Sequence, residues 1–401
     1  MKPLLLTNEY PPNIYGGAGI HVQYLARELA HLCDVEVRCF GDQDIPAENP
    51  TVWGTTTDKS GYTAPKPLQS VFSALQNCLD FNSRNIDADV VHLHTWYSHF
   101  GGILAHLNYG LPMVLTVHSL EPLRPWKREQ LGGGYDFTLW LEKTAIEMSN
   151  AVIAVSNETK ADILRLFDVP EERVPVIHNG IDPDEYCPTY CPHTLEKHHI
   201  DPDIPFVLFV GRITRQKGIV HLVNAIQHLT PGTQVVLCAG APDTPEIAAE
   251  MEEAVDAARQ NFDGKIIWIQ EMLPTQEKIH LYTHARVFCC PSIYEPFGII
   301  NLEALACETP VVASKVGGMK EIIVPGEHGL LVPLEQQTES PFEATQPETF
   351  AKDLASALNE FLTDESKSQT MGKLGRDRVL AHFSWTEIAK ETLALYEKVC
   401  R

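Results

Sequence analysis

Short runs rich in Val, Ile and Leu alternate along the chain with longer segments whose apolar positions recur at helical spacing. Continuous apolar runs of this kind are what strands look like when both faces of a parallel sheet are covered by helices. In the first half the runs predicted as strands are residues 3–7, 35–40, 89–94, 112–118 and 151–156, with a shorter one at 174–178. Helices are predicted between them, notably over 20–33 and 137–149. The alternation restarts at 206–210 and continues at 234–239, 265–270, 287–290, 310–313 and 329–332. The pattern predicts an α/β protein made of two Rossmann-like domains, each doubly wound about a parallel sheet.

At 401 residues the chain is long enough for two cores rather than one. The stretch 182–205 holds Pro183, Pro188, Pro192, Pro202 and Pro205 with few apolar residues, which reads as a hinge linker. The expected domains are therefore 1–190 and 191–384. A last helix carries Ile388, Ala389, Leu393, Leu395, Tyr396 and Val399 on one broad face, with Ser384 ahead of it as a candidate cap. Residues 385–401 are expected to rejoin the first domain. The polar, acidic segment 335–347 is expected to be an exposed loop.

Charge narrows the function. Lys and Arg total 31 against 53 Asp and Glu, a net charge of −22, which argues against nucleic acid or an anionic membrane as partner. An anionic ligand has to be met locally. The apolar run at the N-terminus is too short for a signal or a membrane span, so a cytoplasmic location is expected. The ten cysteines lie mostly in apolar stretches and imply no disulfide framework.

Five places carry candidate chemistry. Tyr15-Gly16-Gly17-Ala18-Gly19 follows the first strand and precedes a helix, where backbone amides and the helix N-terminus favour a phosphate. It is not a full dinucleotide fingerprint, and a plain strand-to-helix turn is the alternative. Arg212 and Lys217 lie in Gly211-Arg-Ile-Thr-Arg-Gln-Lys-Gly218, after the first strand of the second half, where such folds bind ligands. A solvated basic loop is the alternative there. Glu295 sits in a Pro-Gly loop, and Glu303 lies within an apolar helical run, where a buried carboxylate needs a partner: a ligand hydroxyl or a salt bridge. His118 ends a strand, facing either a ligand or the core. His92 and His94 alternate on one strand face, for acceptor contact or core packing.

Two metal signals are discounted. The triplets Asp42-Gln-Asp44, Asp87-Ala-Asp89, Asp182-Pro-Asp184 and Asp201-Pro-Asp203 are expected by chance in so acidic a chain. Cys187 and Cys191 with His193, His198 and His199 match no standard zinc spacing well.

These motifs, with His92-Leu-His94-Thr-Trp96, Thr116-Val-His118-Ser-Leu-Glu121-Pro and Asn179-Gly-Ile-Asp182, together resemble the retaining GT-B glycosyltransferases of the glycogen and starch synthase group. The likeness spans nearly the whole chain. The string from Ser119 to Tyr135 resembles the short actinobacterial-type branch, which includes glycogen synthases and maltose-1-phosphate synthases. The resemblance implies a GT-B fold whose two parallel sheets face a deep interdomain cleft. It implies glucose transfer, with retention, from ADP-glucose ahead of UDP-glucose to the 4-hydroxyl of an α-1,4-glucan. The alternative acceptor is glucose 1-phosphate. A sucrose- or trehalose-type transferase and a silent sugar-nucleotide sensor are further alternatives.

The resemblance also assigns residues. Arg212 and Lys217 would hold the donor diphosphate, Glu303 the ribose, and Glu295 with Phe297, Gly298 and Ile299 the transferred sugar. His118 would stand at the reacting centre, and Gly16 and Gly17 would close on the phosphates. His94 and Trp96 would meet the acceptor, and the basic cluster Arg124, Lys127 and Arg128 beside the His118 loop either meets an acceptor phosphate or is a solvated loop. No cofactor or metal is expected, and self-association is left open. Synthases of the longer bacterial branch carry a Lys two positions before the Gly pair, where this chain has Ile14.

Overall fold

The structure, a computed structural model, describes residues 1–338 and 341–401, so residues 339 and 340 of the expected 335–347 loop lie outside the described residues. The chain divides into two compact units, Met1–Gly180 with Trp385–Arg401, and Ile181–Ser384.

In the first unit the strands are β1 (Pro3–Leu6), β2 (Glu36–Phe40), β3 (Asp44–Ile45), β4 (Thr51–Thr55), β5 (Val90–His94), β6 (Met113–Val117) and β7 (Ala151–Ala154). They form one sheet in the order β3-β4-β2-β1-β5-β6-β7, parallel except where β3 meets β4. The apolar runs are explained by burial on both faces. Along β1, Leu4 and Leu6 enter one core with Phe81, Ile103 and Leu141, while Leu5 enters another with Val22, Leu25 and Ile388. A two-residue period between two covered faces gives an unbroken apolar string.

Two expectations change here. β3 and β4 lie at the sheet edge, where Thr51-Val-Trp-Gly-Thr55 is too polar to register as a buried run. The expected strand at 174–178 is only a bridge, Val176 to Ala154.

The helix Trp385–Val399 packs within this unit, its Ile388, Ala389 and Tyr396 joining Val22, Leu25 and Leu29. The Trp385 ring stacks on Tyr24 at 5.8 Å. Ser384 pairs with Ile181 in a short parallel bridge inside the second unit.

The second unit holds β8 (Phe206–Arg212), β9 (Gln234–Gly240), β10 (Lys265–Ile269), β11 (Val287–Cys290), β12 (Val311–Ser314) and β13 (Gly329–Val332). The order is β10-β9-β8-β11-β12-β13, all parallel. One core face is closed by the helix Pro347–Leu362 through Phe350, Leu354, Leu358 and Phe361.

The break between units falls at Gly180–Ile181, ahead of the expected 190. The proline-rich stretch belongs to the second unit because it is tied down. The Arg376 guanidinium donates to the carbonyls of Tyr186 (3.0 Å) and Pro183 (3.2 Å), Thr189 N donates to Thr283 Oγ1 (2.9 Å), and Tyr186 is buried. Prolines marked irregular backbone here, not a free hinge. All ten cysteines are unpaired, and among the described residues no helix is long and apolar enough to cross a membrane.

Candidate functional site

Functional candidates gather at the carboxyl ends of the strands in each unit, where parallel sheets leave loops and helix N-termini. In the first unit, β1 leads through Pro11-Pro12 to the helix Gly17–Leu29, which begins earlier than its apolar pattern suggests. Gly16 is its N-cap in extended backbone. The amides expected to meet a phosphate already hold an anion: Tyr15 N (2.8 Å) and Gly16 N (2.9 Å) both donate to Glu9 Oε2. A Cβ on Gly19 would stand 2.8 Å from Glu9 Oε2, so this glycine makes room for the carboxylate.

Behind the cradle lies a cluster of imidazoles. β5 ends in His92 and His94, β6 is followed by His118, and the helix after the cradle supplies His21. His92 is fully bonded, Nδ1 to the Tyr396 hydroxyl (2.6 Å) and Nε2 to Thr116 Oγ1 (2.7 Å), so it is a core residue. His94 Nδ1 faces His118 Nε2 at 3.1 Å. His21 Nδ1 donates to Asn179 Oδ1 (2.7 Å), and its ring lies 4.7 Å from that of His118.

Burial keeps these rings neutral. It pushes His21 down to about 4 against the Asn179 hydrogen bond, and likewise takes the buried His99 of the helix Trp96–Tyr109 down to about 3. It takes His92, His94 and His118 well below the usual range, helped by the neighbouring imidazoles. Trp96 is buried too, stacked on Tyr97 at 4.0 Å.

The turn after His118 is pinned by carboxylates. Glu121 N donates to Glu142 Oε2 (2.9 Å), the Tyr135 hydroxyl to Glu121 O (2.6 Å) and Thr138 Oγ1 to Glu121 Oε2 (3.1 Å). Burial, then the Glu121 charge, raises Glu142 well above the usual carboxyl range. Of the basic trio, Arg124 approaches Glu121 (3.5 Å) and Ser119 Oγ (3.1 Å), and Arg128 pairs with Asp136 (3.1 Å) over the Tyr135 ring. Lys127 opens the short helix Lys127–Leu131. An acceptor phosphate at Arg124 or Arg128 would compete with those carboxylates.

In the second unit, Arg212 is the last residue of β8, not a loop residue, and pairs with Asp243. Lys217 sits in the turn before the helix Ile219–Ala225, its amide bonded to Thr214 Oγ1 (3.1 Å). Its Nζ meets Glu295 Oε2 at 2.7 Å, and Ser292 Oγ donates to the same oxygen (3.0 Å). Gly298, with φ of 103°, caps the helix Ile299–Ala306, and a Cβ there would stand 2.5 Å from Asn301 Nδ2. Phe297 is buried, and Ile299 starts the helix.

Glu303 is buried without the salt bridge that was one of its two expected partners. Its two oxygens accept from the Tyr186 (3.2 Å) and Tyr282 (2.9 Å) hydroxyls, and among the described residues no cation pairs with it. A carboxylate has about four lone-pair sites, so each oxygen keeps capacity for a ribose hydroxyl. Burial and the Glu303 charge raise the Tyr282 hydroxyl well above its usual range, which fixes it as donor.

The structure thus joins Lys217 to Glu295 and His94 to His118. Glu9, His21, Asp243 and Asn301 were missed. His21 follows the glycine cradle by two residues, a signal available in the sequence, whereas Asp243 and Asn301 are found only through packing. Asn301 is buried with both amide atoms unpartnered. The discounted metal motifs separate: Asp182 Oδ1 and Asp201 Oδ1 accept from Asp184 N and Asp203 N in tight turns, and His198 bonds Glu277 (2.8 Å). Among the described residues, the one group of His, Cys, Asp or Glu spaced to share an ion is His21, His94 and His118.

Two family models match the chain: Glycosyltransferase Family 4 over residues 15–185 and Glycosyl transferases group 1 over residues 193–341. The chain is 45% identical to an alpha-maltose-1-phosphate synthase of Mycolicibacterium smegmatis, covering 100% of both chains. It is 26% identical to a glycogen synthase of Mycobacterium tuberculosis, covering 99% of this chain and 94% of that one. Among solved structures it superposes on a sucrose-phosphate synthase from Thermosynechococcus elongatus with a TM-score of 0.79 at 25% identity, covering 100% of this chain and 99% of that one.

Proposed function

The chain belongs to the family 4 glycosyltransferases of GT-B fold, and from that premise we propose that it transfers glucose from a nucleoside diphosphate glucose to the 4-hydroxyl of glucose 1-phosphate, giving maltose 1-phosphate. The observation that carries this reading is the 45% identity, over the full length of both chains, to a protein named alpha-maltose-1-phosphate synthase, against 26% to a glycogen synthase. The preference runs against the polymer acceptor that the motifs first suggested.

The chemistry asks for little covalent work from the protein. The bond from the anomeric carbon to the diphosphate oxygen breaks, the sugar becomes oxocarbenium-like, and the acceptor oxygen bonds on the same face, with retention. The acceptor proton leaves on the diphosphate. Arg212 and Lys217 supply positive charge for the departing nucleotide, so transfer proceeds without an added divalent ion. Glu295 orients Lys217 and accepts a hydroxyl of the transferred sugar, Glu303 accepts the ribose, and His118 stands at the sugar as a neutral imidazole. ADP-glucose is the favoured donor, UDP-glucose the second.

The test offers ADP-glucose and UDP-glucose, each with glucose 1-phosphate, maltooligosaccharide or glycogen, and resolves products by phosphorus NMR and mass spectrometry. A phosphorylated disaccharide is expected with glucose 1-phosphate. Extension of glucan with no phosphorylated disaccharide would overturn the reading in favour of glycogen synthase.

A further inference from the structure

We propose that His21, His94 and His118 bind one divalent transition-metal ion of the imidazole-preferring class, zinc foremost, and that the ion withdraws His118 from the sugar and so inhibits transfer. The inhibitory half rests on the reading of His118 given above; the metal site does not.

The argument begins with the lone pairs. His21 Nδ1 must donate to Asn179 Oδ1, because an amide oxygen only accepts, and that fixes the tautomer with the lone pair on Nε2. His21 Nε2 is buried without a hydrogen-bond partner. A buried polar nitrogen left in this state calls for an explanation such as an ion. An imidazole held by a carbonyl through one nitrogen while the other is bare is the arrangement that metal sites use to aim a ligand.

Geometry supplies the rest. One ligand atom from each of the three residues lies within 4.8 Å of the others. His94 Nδ1 and His118 Nε2 are 3.1 Å apart, close to the separation of two nitrogens that each sit about 2.0–2.1 Å from one zinc. A small inward shift of His21 completes three nitrogens and leaves the fourth position open. His118 is only partly buried, which gives the ion a way in. All three rings are neutral, the form that ligates, and imidazole suits zinc, copper and nickel. His92 stays outside the set because both its nitrogens are bonded.

The experiment titrates the chelator-stripped full chain with Zn²⁺ by calorimetry and with Co²⁺ by visible absorption. About one equivalent should bind. His21→Gln, His94→Ala and His118→Gln should each weaken binding more than about tenfold, and Asn179→Ala about 10- to 100-fold. The exposed His193→Ala should bind as the parent does. Should fully buried His94→Ala fail to fold, the two Gln variants, close in volume and polarity, carry the test. Zinc should inhibit transfer and a chelator restore it. Absence of saturable binding, or binding unchanged in the His21 and His118 variants, overturns the site. Binding lost with those variants but without inhibition upholds the site and overturns the placement of His118 at the sugar.

Discussion

Lys217 Nζ lies 2.7 Å from Glu295 Oε2, a contact made across 78 residues of chain between the turn after β8 and the loop after β11. Glu295 is almost fully buried, and its other donor to that oxygen is the Ser292 hydroxyl. The ammonium therefore holds the carboxylate in place, and the carboxylate in turn fixes the position of the ammonium.

Lys217→Ala should lower turnover about 100-fold or more through lost stabilisation of the leaving diphosphate. It should also destabilise the second unit by about 1–3 kcal/mol, because a buried acceptor loses its charged donor. Steady-state kinetics and denaturant unfolding of the same preparation measure both. Full activity in this variant would be incompatible with the proposed mechanism.

Glu9 occupies the amides that the proposed function gives to a donor phosphate, so on that reading Glu9→Gln should lower the donor KM while leaving kcat little changed. The amide oxygen can still accept from Tyr15 N and Gly16 N, but without the charge that repels a diphosphate. An unchanged or raised KM would place the donor phosphates elsewhere.

The histidine cluster makes the first unit sensitive to acid. A base whose pKa is depressed on folding contributes stability in full above its unfolded value, about 6.5, and loses it as pH falls toward the folded value. The window runs from about 6.5 down to about 4 for His21 and about 3 for His99, with His92, His94 and His118 acting in the same direction. All the tryptophans except Trp268 belong to this unit, so denaturant melts followed by tryptophan emission from pH 7.5 to 5 should show its midpoint falling.

Glu142 acts in the opposite sense. Its carboxyl is raised on folding, so its contribution is complete below the unfolded value, about 4.3, and is lost as pH rises through the folded one. Glu142→Gln keeps an acceptor for Glu121 N and removes the ionisation. The variant should gain stability relative to the parent as pH rises from 5 to 8, read as a growing difference in Tm. A constant difference would mean that Glu142 does not titrate in that range.

The sheets were legible because their strands are covered on both sides, so that Leu4, Leu5 and Leu6 are all apolar although they serve two different cores. β4 was not, since next to the two-residue edge strand β3 it keeps Thr51, Trp53 and Thr55 partly exposed. The motifs singled out Lys217, Glu295 and His118, and the structure brings the first two together and sets the third beside His94. What those residues touch was out of reach. Asp243 beside Arg212, and Tyr186 and Tyr282 around Glu303, come from distant elements, and no local period announces them. The prolines of 182–205 misplaced the break because a rigid irregular segment and a free linker share a composition, and it is the bonds made by Arg376 and Thr189 that tell them apart.

The last helix carries a consequence for how the chain is made. Tyr396 bonds His92, Trp385 stacks on Tyr24, and Thr386 bonds Glu28, so the first unit is closed by residues that leave the ribosome after the whole of the second unit. The second unit, contiguous in sequence, is complete before them. During synthesis the order of maturation is therefore inverted: the part begun first must wait, with its β1 and β5 face uncovered, until the part begun second has emerged. A stalled chain from which Ser384, but not Trp385–Val399, has emerged should show a folded second unit beside an open first one.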